Sequence, residues 1–141
     1  MQTWYGIPGS MNAIAKSAND IFFVGNWNGA TYWTQTRFKT LNFNGFAGSI
    51  AVNGSDVYIG GGVNDSLGNS HACYWKNDLY IPLSNSYKES AVNAIAVAGS
   101  DVYAGGYIFD GRTRVPVYWK NGVMTKLSGE GEVKGVCVKK S

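Results

Sequence analysis

The chain has 141 residues, of which 45% are apolar and 15% charged, with 19 glycines, a 14% aromatic share and a net charge of +3. That length suits a single domain, residues 1–141, and the glycine and aromatic content points to short strands joined by tight turns rather than to disorder. The charge is thin and its one cluster is Lys134, Lys139 and Lys140, which argues against a nucleic-acid partner. No apolar run reaches the ~18 residues of a membrane span. The opening MQTWYGIPGS has neither the basic start nor the apolar stretch of a secretory signal, so we expect a soluble chain with no membrane partner and leave its compartment unassigned.

In chain order, the first element expected is a short aromatic strand over residues 3–8, TWYGIP. After it the chain repeats itself with a period of ~45 residues, a spacing typical of arrays. AIAKSANDIFFVG from Ala13, SIAVNGSDVYIGG from Ser49 and AIAVAGSDVYAGG from Ala94 align, and VKGVCVKKS from Val133 repeats only the opening run. Trp33, Trp75 and Trp119 mark one place in three copies, each preceded by tyrosine. We place the copies at about 11–46, 47–91 and 92–132, with a partial copy at 133–141.

Each copy splits into four apolar runs, A to D. Run A carries small and branched residues. A GSD or AND turn joins it to run B, because Asp and Asn bond the local backbone and Gly accepts positive φ. A variable loop leads to run C, which holds the Tyr-Trp pair, and an NG or ND turn leads to run D, NG between apolar runs being a strong hairpin signal. Asp20, Asp56 and Asp101 recur at the A-to-B turn and are expected to bond backbone there. The expected fold class is all-β: a β-propeller-like array of four-stranded antiparallel blades, about three per chain, with small residues toward the axis and aromatics, Trp75 and Trp119 above all, between blades.

The order of apolar strand, Gly-Gly closing run B, variable loop, Tyr-Trp and a D run ending in leucine resembles a kelch-type blade. YWKNG at Tyr118–Gly122 is similar to repeats of bacterial propeller proteins. The first copy departs, with Gly25 lacking a second glycine and YWTQT at Tyr32–Thr36. The resemblance implies a rigid binding ring, with enzymes a minority. Three copies are fewer than the roughly four to eight blades of a closed ring. Counting D, three ABCD sets and a final A gives fourteen strands with unpaired edges, so we expect the ring to be completed by self-association, a dimer being favoured. Deleting residues 133–141 is then expected to break the oligomer. A fragment of a longer repeat protein and a small distorted ring are the alternatives.

Chemistry is sparse. His71 is the single histidine, which removes a supported Ser-His-Asp set and a multi-histidine metal site, and it reads as a loop residue. Cys73 and Cys137 have no metal-like spacing and read as buried thiols or a disulfide. No catalytic residue, metal ligand or cofactor is expected. The variable B-to-C and D-to-A connections share one face, and recognition usually sits on such loops. Candidate ligand-binding residues there are Trp27, Asn28, Asp65, Tyr87, Phe109, Arg112 and Arg114, with Asn26, Phe46, Asn64, His71, Lys88, Tyr107 and Asp110 nearby. Trp27 and Phe109 equally suit packing under their own loops. Aromatic rings beside amides and carboxylates suit a glycan, and Trp, Tyr and Arg suit a protein partner. We therefore expect a non-enzymatic binding module. A structural protein of a larger particle or surface layer is the alternative, and a glycosidase or lyase the lesser one.

Overall fold

The structure, a computed structural model, describes residues 10–83 and 86–138. The strand expected over 3–8 and two of the three clustered lysines lie outside those residues. Among the described residues the fold is all-β. Strands β1 (Ser10–Lys16), β2 (Ile21–Asn26), β3 (Ala30–Trp33) and β4 (Phe38–Asn42) form one sheet. A second holds β5 (Gly45–Asn53), β6 (Asp56–Asn64), β7 (Ser70–Lys76) and β8 (Leu79–Pro82). The third holds β9 (Glu89–Ala98), β10 (Asp101–Phe109), β11 (Arg114–Lys120) and β12 (Val123–Lys126). Every pairing is antiparallel between chain neighbours, so each sheet is a meander.

Strand β5 packs against β1 and its sheet, and β9 packs against β5, β6 and β7. The first strands thus lie together, whereas the outermost strands carry exposed Phe38, Leu79, Tyr80 and Val123. The first interface holds Phe22, Val24, Tyr32, Ala47, Ile59, Cys73 and Trp75, and the second is built from Ala72, Val92, Ala104, Ile108, Val117 and Trp119. Trp75 and Trp119 are fully buried between sheets, as the repeat implied. The Nε1–H of Trp119 finds no acceptor among the described residues, so that indole contributes through packing.

One device recurs in all three sheets. The first strand bulges at Asn12, Gly48 and Asn93, each skipped in the pairing register. Opposite the bulge stand Gly25, Gly61 and Gly106, where a Cβ would lie 1.8, 1.9 and 1.8 Å from the carbonyl oxygens of Ser10, Phe46 and Ala91. This close approach explains why glycine recurs at that place in every copy. At two bulges the asparagine reaches the next segment of chain: Asn12 Nδ2 donates to the Ala47 carbonyl at 2.8 Å, and Asn93 Nδ2 to the Val133 carbonyl at 2.9 Å. Gly48 has no side chain to do the same, although a Cβ there would lie 4.0 Å from the Val92 carbonyl oxygen.

A second device closes each hairpin pair from within. Asn77 and Asn121 adopt φ of 49° and 51°. Their Oδ1 atoms accept from the backbone N–H of Val57 and Val102, and their Nδ2 groups donate to Asp56 and Asp101 at 2.9 Å. The turn aspartates of the second and third copies therefore bond an asparagine side chain rather than backbone. Asp20 alone follows the expectation, accepting from the Ile21 N–H at 3.0 Å.

Residues 133–138 form no paired strand, so the described strands number twelve. The segment nonetheless lies across the third sheet, with Val133 and Val136 over Gly105. Both cysteines are free: Cys73 is buried, and burial pushes its thiol up to about 12, whereas Cys137 is exposed because its side alternates away from Val136.

Replacing Trp75 or Trp119 by Ala is expected to destabilise by about 3–5 kcal/mol in denaturant unfolding. Gly48→Asn should instead stabilise by about 1 kcal/mol, through a hydrogen bond to the next segment of chain such as the other two bulges already make. An unchanged midpoint for Gly48→Asn would show that the stitch is energetically idle.

Candidate functional site

The meanders place the B-to-C and D-to-A connections at one end of the sheets and the A-to-B and C-to-D turns at the other. At the loop end the sequence candidates are largely engaged within their own sheets. Trp27 is half-buried, its ring meeting Phe38 edge-on at 5.0 Å. Asn28 is exposed at φ 53° and shapes the turn. The Asp65 carboxylate accepts from the N–H groups of Leu67 and Asn69 and from His71 Nε2 at 2.8 Å. The His71 hydrogen bond, aided by that of Asn69, holds Asp65 below the usual carboxylate range. Asp110 does the same for its loop, accepting from Arg112 and Thr113 N–H, and those bonds likewise lower it. Arg112 is exposed at the loop tip. Half-buried Tyr87 packs on the second interface beneath Lys126, whose Nζ is 5.5 Å from the ring centroid.

Several residues expected in loops belong to strands. His71 lies in β7, Phe46 in β5, Tyr107 and Phe109 in β10 and Arg114 in β11, because the pairing continues past the apolar runs to Asn64–Ser70 and Phe109–Arg114. Trp27, Asp65 and Arg112 stand on three different sheets, and the contacts of each are local.

Arg114 centres a polar cluster. Its guanidinium lies over the Tyr107 ring at 4.2 Å, donates to Glu132 at 2.8 Å and approaches Glu89 at 3.4 Å. Tyr107 donates to Glu89 at 2.6 Å, and burial together with that bond pushes the phenol up to about 12. Glu132 also takes Lys134 at 2.7 Å and Asn93 Nδ2 at 3.1 Å, and the Lys134 contact, with help from Arg114, holds its carboxyl below the ordinary value. This cluster ties residues 129–134 onto the third sheet.

Among the described residues, open space lies at the turn end between the first and second sheets. Two neighbouring cavities of about 200 and 400 Å³ share Phe22, Ser55 and Val57. The smaller is lined as well by Tyr32, Arg37, Asn77 and Asp78, and the larger by Ser17, Asn19 and Asp20. The first copy, which lines part of this space, departs from the repeat. In the second and third copies Lys76 and Lys120 follow the tryptophan and cover a tyrosine ring, with Nζ 5.5 Å from Tyr58 and 5.7 Å from Tyr103. Thr34 stands in that position in the first copy, is itself buried, and carries no cation over Phe22.

Within the cleft, Asp78 sits at φ 72°, where the next copy has Gly122. A non-glycine there is strained, and such strain collects at functional positions. Its Oδ2 accepts from Lys39 at 2.9 Å and from the Tyr32 hydroxyl at 3.3 Å. Burial, with the Asp78 charge, raises the Tyr32 phenol. The Arg37 guanidinium makes no ion pair or hydrogen bond among the described residues. The candidates named from the sequence do not include this cleft, although the Thr34 and Asp78 departures from the repeat mark it. Comparison with protein-family models and with curated proteins finds no match for the chain.

The depressed Glu132 gives a pH prediction. A carboxyl whose folded value lies below its ordinary 4.5 contributes stability that is present above that pH and is lost as the pH falls through the folded value. Melting temperature should therefore fall on acidification below about pH 4.5 more steeply for the native chain than for Glu132→Gln. Parallel pH profiles would remove Glu132 from the cluster's energetics.

Proposed function

We propose that the three sheets are blades of a β-propeller-like array, of the kelch-like kind the sequence resembles, and that the protein is a non-enzymatic binding module for a glycan. Convergence of the first strands, with the outer strands left exposed, supports the blade reading. Engagement of Asp65, Glu89 and Glu132 with His71, Arg114 and Lys134 supports binding over catalysis, since these groups serve loop shape and segment docking.

The observation that carries the glycan reading is the cleft between the first and second sheets. An aromatic floor, Phe22 and Tyr32, lies beside hydroxyl, amide and carboxylate groups of Ser55, Asn77 and Asp78. Such a lining offers apolar ring edges, both rings being largely buried, beside groups that bond sugar hydroxyls. The uncommitted guanidinium of Arg37 adds a donor fork suited to a carboxylate or sulfate, which favours an acid-bearing saccharide. Together the two cavities reach the size of ordinary ligand sites, roughly 300–1,000 Å³.

Screening on a glycan array followed by calorimetry tests this. Arg37→Ala is expected to weaken an acidic glycan at least ~10-fold, about 1.4 kcal/mol, with an unchanged melt. Binding that survives Arg37→Ala and Asn77→Ala but is lost in a Trp27, Phe109 and Arg112 triple variant would place recognition at the loop end instead. Absence of any glycan ligand would overturn the glycan reading.

A further inference from the structure

The same structural position recurs four times along the chain: Met11, Ala47, Val92 and Val133 correspond, as do Ile14, Ile50, Ile95 and Val136. In the second and third copies these side chains seat the first strand on the preceding sheet. Val92 and Ile95 lie over Gly60, where a Cβ would be 2.7 Å from Val92 Cγ1 and 3.5 Å from Ile95 Cβ. Val133 and Val136 fill the matching seat over Gly105, at 2.5 and 2.7 Å from a Cβ there. The Val133 carbonyl accepts from Asn93 as the Ala47 carbonyl accepts from Asn12, and the Val133 N–H donates to the Gly106 carbonyl at 3.0 Å. On β1 the corresponding pair faces solvent, with Met11 56% and Ile14 64% exposed.

We infer that the seat over Gly105 is the acceptor for β1 of a second copy, and that residues 133–138 occupy it in cis as a displaceable plug. A β1 placed there brings Met11 and Ile14 onto Gly105, the Met11 carbonyl to Asn93 Nδ2 and the Met11 N–H to the Gly106 carbonyl. Its bulge at Asn12 falls where Lys134 stands in the plug. Met11 and Ile14 bury more apolar surface than two valines, which favours exchange. The plug is retained by Glu132, whose contacts with Arg114, Asn93 and Lys134 have no equivalent at Ser10. Among the described residues it pairs with no strand, so its release breaks few of the hydrogen bonds described. The resulting interface is head-to-tail, and such contacts give closed rings or open filaments according to the rotation between copies.

This goes beyond the ligand reading and does not rest on it. It also reverses the sign expected for the deletion: removing residues 133–141 frees the seat and promotes association. Sedimentation velocity over a concentration series tests it. The full chain should associate weakly, the chain lacking 133–141 should associate at least 10-fold more tightly, and Ile14→Glu added to either should return it to monomer. A peptide of residues 130–141 should dissociate the truncated assembly, while the same peptide with Val133→Asp and Val136→Asp should not. Should the truncated chain fail to fold, full-length Glu132→Gln decides, with association rising and again reversed by Ile14→Glu. A folded truncated chain or a Glu132→Gln chain that associates no more than the native one, or assembly indifferent to Ile14→Glu, overturns the inference.

Discussion

The arrangement depends on how one strand is seated across another. The first strand of the third sheet lies over a position of β6 that has no side chain, Gly60, and puts Val92 and Ile95 into the space. A methyl group there would stand 2.7 Å from both Val92 Cγ1 and Ser49 Oγ, so the missing Cβ makes room for the crossing strand. The first interface meets the same demand differently. Val24 occupies the place of Gly60, and the strand that crosses it carries Ala47 in place of Val92, with both in one buried cluster. Volume moves from one side of the interface to the other and its sum changes by a single methyl group, close to the kind of exchange that cores tolerate best. The lone glycine of the first copy is thereby explained: Gly25 answers the bulge carbonyl, and the second glycine is not needed where the crossing strand is slimmer.

Hydrogen bonding is divided between two asparagine devices. Asn12 and Asn93 join a sheet to the segment next in the chain, and Asn77 and Asn121 join the two hairpins of one sheet. Where a copy departs from these rules, something else happens at that place. Gln35 replaces the clamp asparagine and Thr34 the covering lysine in the first copy, the copy whose Phe22 and Tyr32 line the cleft. Local departures from an otherwise consistent pattern are where function is expected to lie, because packing alone would favour the repeated solution.

Much of this is legible in the chain. Four runs per copy, the turn glycines and the buried Trp75 and Trp119 follow from period, turn chemistry and aromatic placement. The features that escape are set by contacts between copies rather than within one. Run B extends as strand through Phe109 because backbone pairing with Arg114 does not require an apolar residue. Asp56 and Asp101 read as backbone caps in the sequence because their partner, an asparagine about 20 residues later, is fixed only by the fold. Arg114 reads as a binding residue on its charge, yet Glu132 and Tyr107, brought beside it by the docked segment, give it a structural task. The departures of the first copy, Thr34 against Lys76 and Lys120 and Gln35 against Asn77 and Asn121, are visible in the sequence only when the copies are compared position by position.

A double-mutant cycle at Gly60 and Val92 tests the seating most directly. Gly60→Ala in the native background should destabilise by about 1–3 kcal/mol, as overpacking does. In a Val92→Ala background, where one of the two close side-chain contacts is gone and Ser49 Oγ remains, the same change should cost measurably less, giving a coupling of at least ~1 kcal/mol. Additive effects of the two substitutions would contradict the account, since they would mean that the strand does not rest on the glycine.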